Sequence, residues 1–196
     1  MRLLKDILYK AGTVEIHGST NLAILAITAD SRKVSRNSLF VAVKGTQSDG
    51  HNFIDTAVEK GAIAIICESL PETRNDKITW VVVRDSAYAL GITAANFYDN
   101  PSARLKLVGV TGTNGKTTIA TLLHQLYSNL GYKSGLISTV RNIIAQEIIT
   151  STHTTPDPVS LQKLLDDMVK AGCSHAFMEV SSHAVHQKRI AGTDFT

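Results

Sequence analysis

The sequence predicts an α/β protein in two parts: a small mixed α/β N-terminal domain over residues 1–101, then over 102–196 the first part of a parallel-sheet domain of phosphate-loop type. Three observations carry that expectation. Short β-rich apolar runs alternate with stretches of helical periodicity along the chain. A turn-type cluster, Asp99-Asn100-Pro101-Ser102, separates two apolar regions. The glycine-rich stretch VTGTNGKTT, residues 110–118, stands between an apolar strand pattern and an amphipathic helical one.

Composition narrows the class. With 196 residues, 43% of them hydrophobic, the chain is long enough to bury a core in each part. The net charge is only +3 despite a pI near 8.9, and the basic residues are not clustered, so no nucleic-acid partner is expected. The opening MRLLKDILYKAG has too short an apolar run for a signal peptide, carries Asp6 within it and lacks a small-residue cleavage site. No stretch approaches the ~18 apolar residues of a membrane span. Cys67, in an apolar run, and Cys173, after a helical pattern, make no disulfide framework. A cytoplasmic protein with no membrane partner is the expectation.

Taken in order, residues 22–29 and 38–43 read as short strands, 52–60 as a helix, 62–67 and 79–83 as strands, and 86–98 as a second helix. Beyond the turn cluster, 105–110 reads as a buried strand, 117–130 as a helix stopped by Gly131, and 133–138 as the next strand. A proline-containing loop over 154–158 leads into a helix over 159–170, closed by Gly172, and 175–181 is a strand with one acid inside it. Strand, helix, strand, helix, strand implies βαβ units on a parallel sheet.

The stretch VTGTNGKTT departs from the Walker pattern, because Val110 stands where a leading glycine is usual. It still supplies what phosphate binding requires: Gly112 and Gly115 for tight backbone geometry, Lys116 for charge, Thr117 for a metal-facing hydroxyl, and N–H groups at a helix start. A plain βα turn would have no reason for a lysine directly after the second glycine. Within HAFMEVS, Glu179 is costly to bury unless it is paired or metal-bound, so it reads as a second Mg²⁺ ligand opposite Thr117 or as a strand-end salt-bridge partner.

The G-T-N-G-K-T variant is the form found in the Mur ligases and the related folylpolyglutamate synthetases. Beside it stand TADSR at 28–32, LFVAVKGTQSDG at 39–50, HTTP at 153–156 and MEVSSHAVHQKR at 178–189. In this order and spacing, over almost the whole chain, they resemble the MurE-type Mur ligases. These add the third amino acid to UDP-N-acetylmuramoyl-L-alanyl-D-glutamate. MEVSSHA followed by Q-x-R is the most specific part.

The resemblance implies an ATP-dependent ligase with ATP and Mg²⁺ as cofactors, and with that nucleotide sugar and a diamino acid as substrates. Gly112, Thr113, Asn114, Gly115, Lys116, Thr117 and Thr118 would bind ATP, with Lys116 and Glu179 catalytic and Thr117 and Glu179 on the metal. Ser31 would stand at the uridine end, with Thr46, Gln47 and Ser48 against the same ligand. Thr154 and Thr155 would hold the muramoyl part, and Ser181, Gln187 and Arg189 the remaining contacts. Hydroxyl, amide and guanidinium donors suit a diphosphate and a carboxylate. The γ-phosphate of ATP would pass to the D-glutamyl carboxylate, and the amine of the diamino acid would attack the acyl phosphate.

Two departures matter. The position before the threonine pair is often asparagine in the family and is His153 here, with no role assigned. The chain also stops while a new element, 192–196, is starting, and before the lysine the family carbamylates, a further histidine ligand and the C-terminal domain for the incoming amino acid. The expectation is a truncated chain, inactive alone, from an enzyme that is monomeric at full length, with a sheet edge left open after the 175–181 strand. The choice between meso-diaminopimelate and L-lysine belongs to the later part.

Other constellations read as ordinary structure. The series Glu179, His183, His186 lacks the helical frame of a zinc site. Adjacent Asp166 and Asp167 read as a solvated helix face, Trp80 as core or domain-interface packing, and His51 and His124 as surface or helix residues without assigned chemistry. Two alternatives stay open: a sister ligase acting on another muramoyl peptide or on folate, and a non-enzymatic nucleotide-responsive binding module.

Overall fold

The computed structural model describes residues 1–45, 48–150 and 154–196, which separate into two units, Met1–Phe97 and Tyr98–Thr196. In chain order the first holds β1 (Arg2–Leu3), α1 (Leu4–Ile7), β2 (Thr13–His17), β3 (Ala23–Ile24), β4 (Ala26–Thr28), β5 (Ser38–Val41), α2 (Ile54–Glu59), β6 (Ala62–Cys67), β7 (Thr79–Val83) and α3 (Ser86–Phe97). Its main sheet runs β2-β7-β6-β5-β4, with β4 to β7 parallel and β2 antiparallel at one edge.

The run expected over 22–29 is two strands. Ala23–Ile24 pairs with β1, while Ala26–Thr28 joins the main sheet, with Leu25 exposed between them. The parallel strands are nearly continuous apolar runs because both faces are covered. Phe40, Ile65, Cys67 and Trp80 form one core with Ile54 and Ala57 of α2. Trp80 is buried there, and its indole N–H donates to the Asn75 carbonyl at 3.3 Å.

The second unit holds β8 (Lys106–Val110), α4 (Lys116–Asn129), β9 (Ser134–Ile137), β10 (Arg141–Ile144), β11 (Glu147–Thr150), α5 (Pro158–Lys170), β12 (His175–Glu179) and α6 (Ser182–His186). The sheet order is β11-β10-β9-β12-β8, in which β9, β12 and β8 are parallel and β10 and β11 form an antiparallel hairpin. Strand β12 therefore lies between β8 and β9, and the edge left for a further strand among the described residues is that of β8. The outer strands are β8 and β11, and the Thr196 N–H donates to the Leu107 carbonyl of β8 at 2.9 Å.

Alternation along the strands sorts the two faces. Phe177 and Leu136 meet Ala120 of α4 on one face; Leu107, Ile137, Ala176 and Met178 meet Leu161, Leu165 and Met168 of α5 on the other. Asp166 of α5 is buried rather than solvated and pairs with Lys170 one turn on, while Asp167 pairs with Lys163. Cys67 and Cys173 are both free and buried, and burial pushes the Cys67 thiol up to about 11. No helix among the described residues is long and apolar enough to cross a membrane.

Candidate active site

Parallel pairing of β8 with β12 sets Val110 opposite Glu179, and the Val180 N–H donates to the Val110 carbonyl at 2.9 Å. Val110 is thus the last rung of a ladder, partly buried against Ala120 and Phe177, and a leading glycine would give up that packing. The loop that follows turns through Gly112 (φ 145°) and Gly115 (φ 80°), both in the region only glycine enters cheaply, and Gly115 caps α4. Lys116 begins the helix and folds back, its Nζ donating to the carbonyls of Gly112 at 2.7 Å and Thr113 at 3.3 Å. Thr113, Asn114 and Thr118 are exposed around it.

One position later, the Thr117 hydroxyl reaches across the ladder and donates to Glu179 Oε2 at 2.9 Å. Glu179 is 1% exposed. Its other oxygen accepts the Thr139 N–H at 2.9 Å, and the Thr139 hydroxyl lies 3.2 Å from Oε2. A buried carboxylate held by three donors is compensated without a counter-charge. Thr139 follows the end of β9, and the sequence patterns did not mark it: one exposed hydroxyl after an apolar strand carries no periodic signal.

Thr139 joins this cluster to the next. Its hydroxyl is 3.0 Å from that of Thr154, and the neighbouring Thr155 donates to the Glu179 carbonyl at 3.0 Å while accepting the Ser181 N–H at 3.1 Å. Ser181 caps α6 by accepting the Ala184 N–H at 3.1 Å. Arg189 donates to Gln187 Oε1 at 2.8 Å and to the Thr155 carbonyl at 3.0 Å, using two of its five donors. Thr117, Thr154, Thr155, Glu179, Ser181, Gln187 and Arg189 thus form one connected cluster at the C-terminal ends of the parallel strands, where α/β sheets hold their ligands.

The first unit carries the other candidates at the same ends of its own strands. Ser31 lies in a short 3-10 turn after β4, and Ser48 is exposed on the turn that leaves β5. Thr46, Gln47 and His153 lie outside the described residues. His51 and His124, read as residues without chemistry, are both engaged. His124 is buried, its Nδ1 2.9 Å from the Ser134 hydroxyl, and burial lowers its pKa. His51 is bonded through both ring nitrogens.

A model of the Mur ligase middle domain matches residues 110–196, and a model described as the Mur ligase family catalytic domain matches residues 23–98. The chain belongs to the Mur ligase family. Over 193 residues it is 58% identical to a UDP-N-acetylmuramoyl-L-alanyl-D-glutamate--2,6-diaminopimelate ligase of Cytophaga hutchinsonii, which covers 98% of the chain and 40% of that protein. A solved structure of another UDP-N-acetylmuramoyl-L-alanyl-D-glutamate--2,6-diaminopimelate ligase matches with a TM-score of 0.80 at 29% identity, covering 99% of the chain and 39% of its own. The crystal structure of MurF ligase from Thermotoga maritima in complex with ADP matches at 29% identity with a TM-score of 0.55, over 80% of the chain and 32% of its own. The chain thus spans about 40% of the length of the Mur ligases it matches.

Whether the cluster suits the group's usual cofactor can be read from its donors. Among the described residues no three His, Cys, Asp or Glu side chains converge. Glu179 and Thr117 offer only hard oxygens, from two side chains, so a cation here would fill its shell with water and phosphate oxygens. That is the habit of Mg²⁺ rather than of zinc.

Proposed function

We propose that this chain provides the nucleotide-sugar and ATP sites of a ligase that extends UDP-N-acetylmuramoyl-L-alanyl-D-glutamate by a diamino acid in peptidoglycan precursor synthesis, in the cytoplasm. The observation that carries the reading is the 2.9 Å bond between Thr117 and Glu179, which ties a phosphate loop to the strand whose end also bears Thr155 and Ser181. The diaminopimelate named for the 58% identical relative makes it our choice for the incoming amine.

In this reading Lys116, already turned over the loop, exchanges the Gly112 and Thr113 carbonyls for phosphate oxygens of ATP. The loop N–H groups add donors that need no reorganisation. Mg²⁺ held by Thr117 and Glu179 would neutralise charge on the nucleotide phosphates. Thr154, Ser181 and Gln187 present hydroxyls and an amide to the muramoyl dipeptide, the buried Thr155 holds Ser181 and the Glu179 carbonyl in place behind them, and the remaining donors of Arg189 suit the dipeptide's carboxylate. Ser31, Thr46, Gln47 and Ser48 serve the uridine diphosphate.

Titration of the chain with Mg·ATP tests the nucleotide half. Lys116→Ala removes the phosphate-facing cation and should weaken Mg·ATP by at least about tenfold, the scale of one charge-assisted bond, while leaving the uridine compound's affinity unchanged. Equal Mg·ATP affinity in the variant would remove the phosphate-loop assignment.

A further inference from the structure

Five residues scattered over the sequence of the first unit close into a ring. The turn that leaves β5 is pinched at its base: Lys44 and Asp49 form an antiparallel bridge, and the Gly45 N–H donates to the Ser48 carbonyl at 3.1 Å. Next to it the Gly50 N–H donates to the Val43 carbonyl at 2.8 Å. The backbones approach so closely that a side chain on Gly50 would place Cβ 2.7 Å from Val43 N and O.

From Asp49 the ring continues through side chains. Asp49 Oδ1 accepts the His51 N–H at 2.9 Å and lies 2.6 Å from His51 Nδ1. The opposite ring nitrogen, Nε2, accepts the Glu68 N–H at 2.9 Å. An amide can only donate, so Nε2 carries no proton, and the imidazole hydrogen sits on Nδ1 and points at Asp49. Those two bonds from His51 hold the Asp49 carboxyl below the usual carboxylate range.

Glu68, directly after β6, turns its Oε1 onto Ser86 at the start of α3, accepting the N–H at 2.8 Å and the hydroxyl at 2.7 Å. The Ser86 oxygen accepts the Lys44 N–H at 3.1 Å, and the ring is closed. It ties together the chain segments leaving β5, β6 and β7. Ser86 is 1% exposed, so it is placed to hold the turn rather than to meet a ligand.

We propose that His51 is a positioning residue for donor recognition: with Glu68 and Ser86 it fixes the Lys44–Asp49 bridge so that the adjoining Ser48 is presented in one arrangement to the uridine diphosphate. This rests on the proposed function for the identity of the ligand. A contact residue fixed before binding does not lose its freedom on binding, which is how a residue that never touches the ligand raises affinity. Removing the imidazole acceptor also strands the Glu68 N–H in a part-buried setting.

Two conservative substitutions divide the ring. His51→Asn keeps an N–H near the Nδ1 position for Asp49 and loses the acceptor for Glu68; His51→Gln keeps a carbonyl near Nε2 and loses the side-chain bond to Asp49, leaving the backbone one. Ser86→Ala opens the ring on its far side. In folded protein, checked by an unchanged circular dichroism spectrum, each should weaken UDP-N-acetylmuramoyl-L-alanyl-D-glutamate by about tenfold while Mg·ADP stays within about twofold. His51→Asn combined with Ser86→Ala should cost no more than the worse single change, because both break one ring. Donor affinity unchanged in the folded variants, or an equal loss for both ligands, would overturn the proposal. If the wild-type chain takes up no donor, the functional reading fails. The ring is then judged by amide exchange at Lys44 and Glu68, which must quicken in His51→Asn or the lock is not there.

Discussion

Asp30 holds the turn that carries Ser31. Its Oδ1 accepts the Arg32 N–H at 3.0 Å and Nε–H at 2.9 Å, and Oδ2 takes a second guanidinium bond at 2.9 Å. The side-chain bonds to Arg32, aided by the backbone N–H, outweigh partial burial and lower the Asp30 pKa to about 2. A folded-state pKa below that of the free carboxyl stabilises the turn fully above about pH 4 and less as pH falls toward 2. The ¹³C shift of the Asp30 carboxyl should therefore show a midpoint near 2, moving to near 4 in Arg32→Ala. At this scale the site was legible wherever a residue contradicts its surroundings. Glu179 stood out as an acid in an apolar strand, and Lys116 as a lysine behind a glycine. Thr139 and His51 contradict nothing in sequence, and only the strand ends that converge on them reveal what they hold.

Among the elements, α5 shows why some boundaries can be read closely. Asp157 accepts the N–H groups of Val159 at 3.0 Å and Ser160 at 3.1 Å, and Pro158 takes the first helical position, where its missing N–H costs nothing. Asp157→Ala should lower stability by about 1 kcal/mol, read as a shift of the urea midpoint at constant slope. A shift below about a third of that would show that the cap is not what starts the helix. The β10–β11 hairpin was not legible for the matching reason. Its turn passes through Ala145 at φ 55°, where a glycine or asparagine would have announced it. The five-residue α6 is too short to leave a period, and only Ser181, at its cap, marks where it begins.

At the scale of the molecule, the alternation of strands and helices foretold parallel sheets, but not that β12 would insert between β8 and β9. Order within a sheet depends on which crossovers bury most surface, and local pattern does not record it. That insertion brings Glu179 beside the phosphate loop and Thr155 beside Glu179. The chain that carries these sites spans about 40% of the Mur ligases it matches, so the activity of the complete enzyme is more than this chain is asked to show. Donor recognition is what it should retain. The decisive measurement is a calorimetric titration of the folded chain with UDP-N-acetylmuramoyl-L-alanyl-D-glutamate and, separately, with the same compound lacking D-glutamate. Tighter binding of the dipeptide form, by about tenfold for one buried carboxylate contact, is the predicted result. Binding of Mg·ATP with neither uridine compound taken up would contradict the account and leave a nucleotide-responsive module in its place.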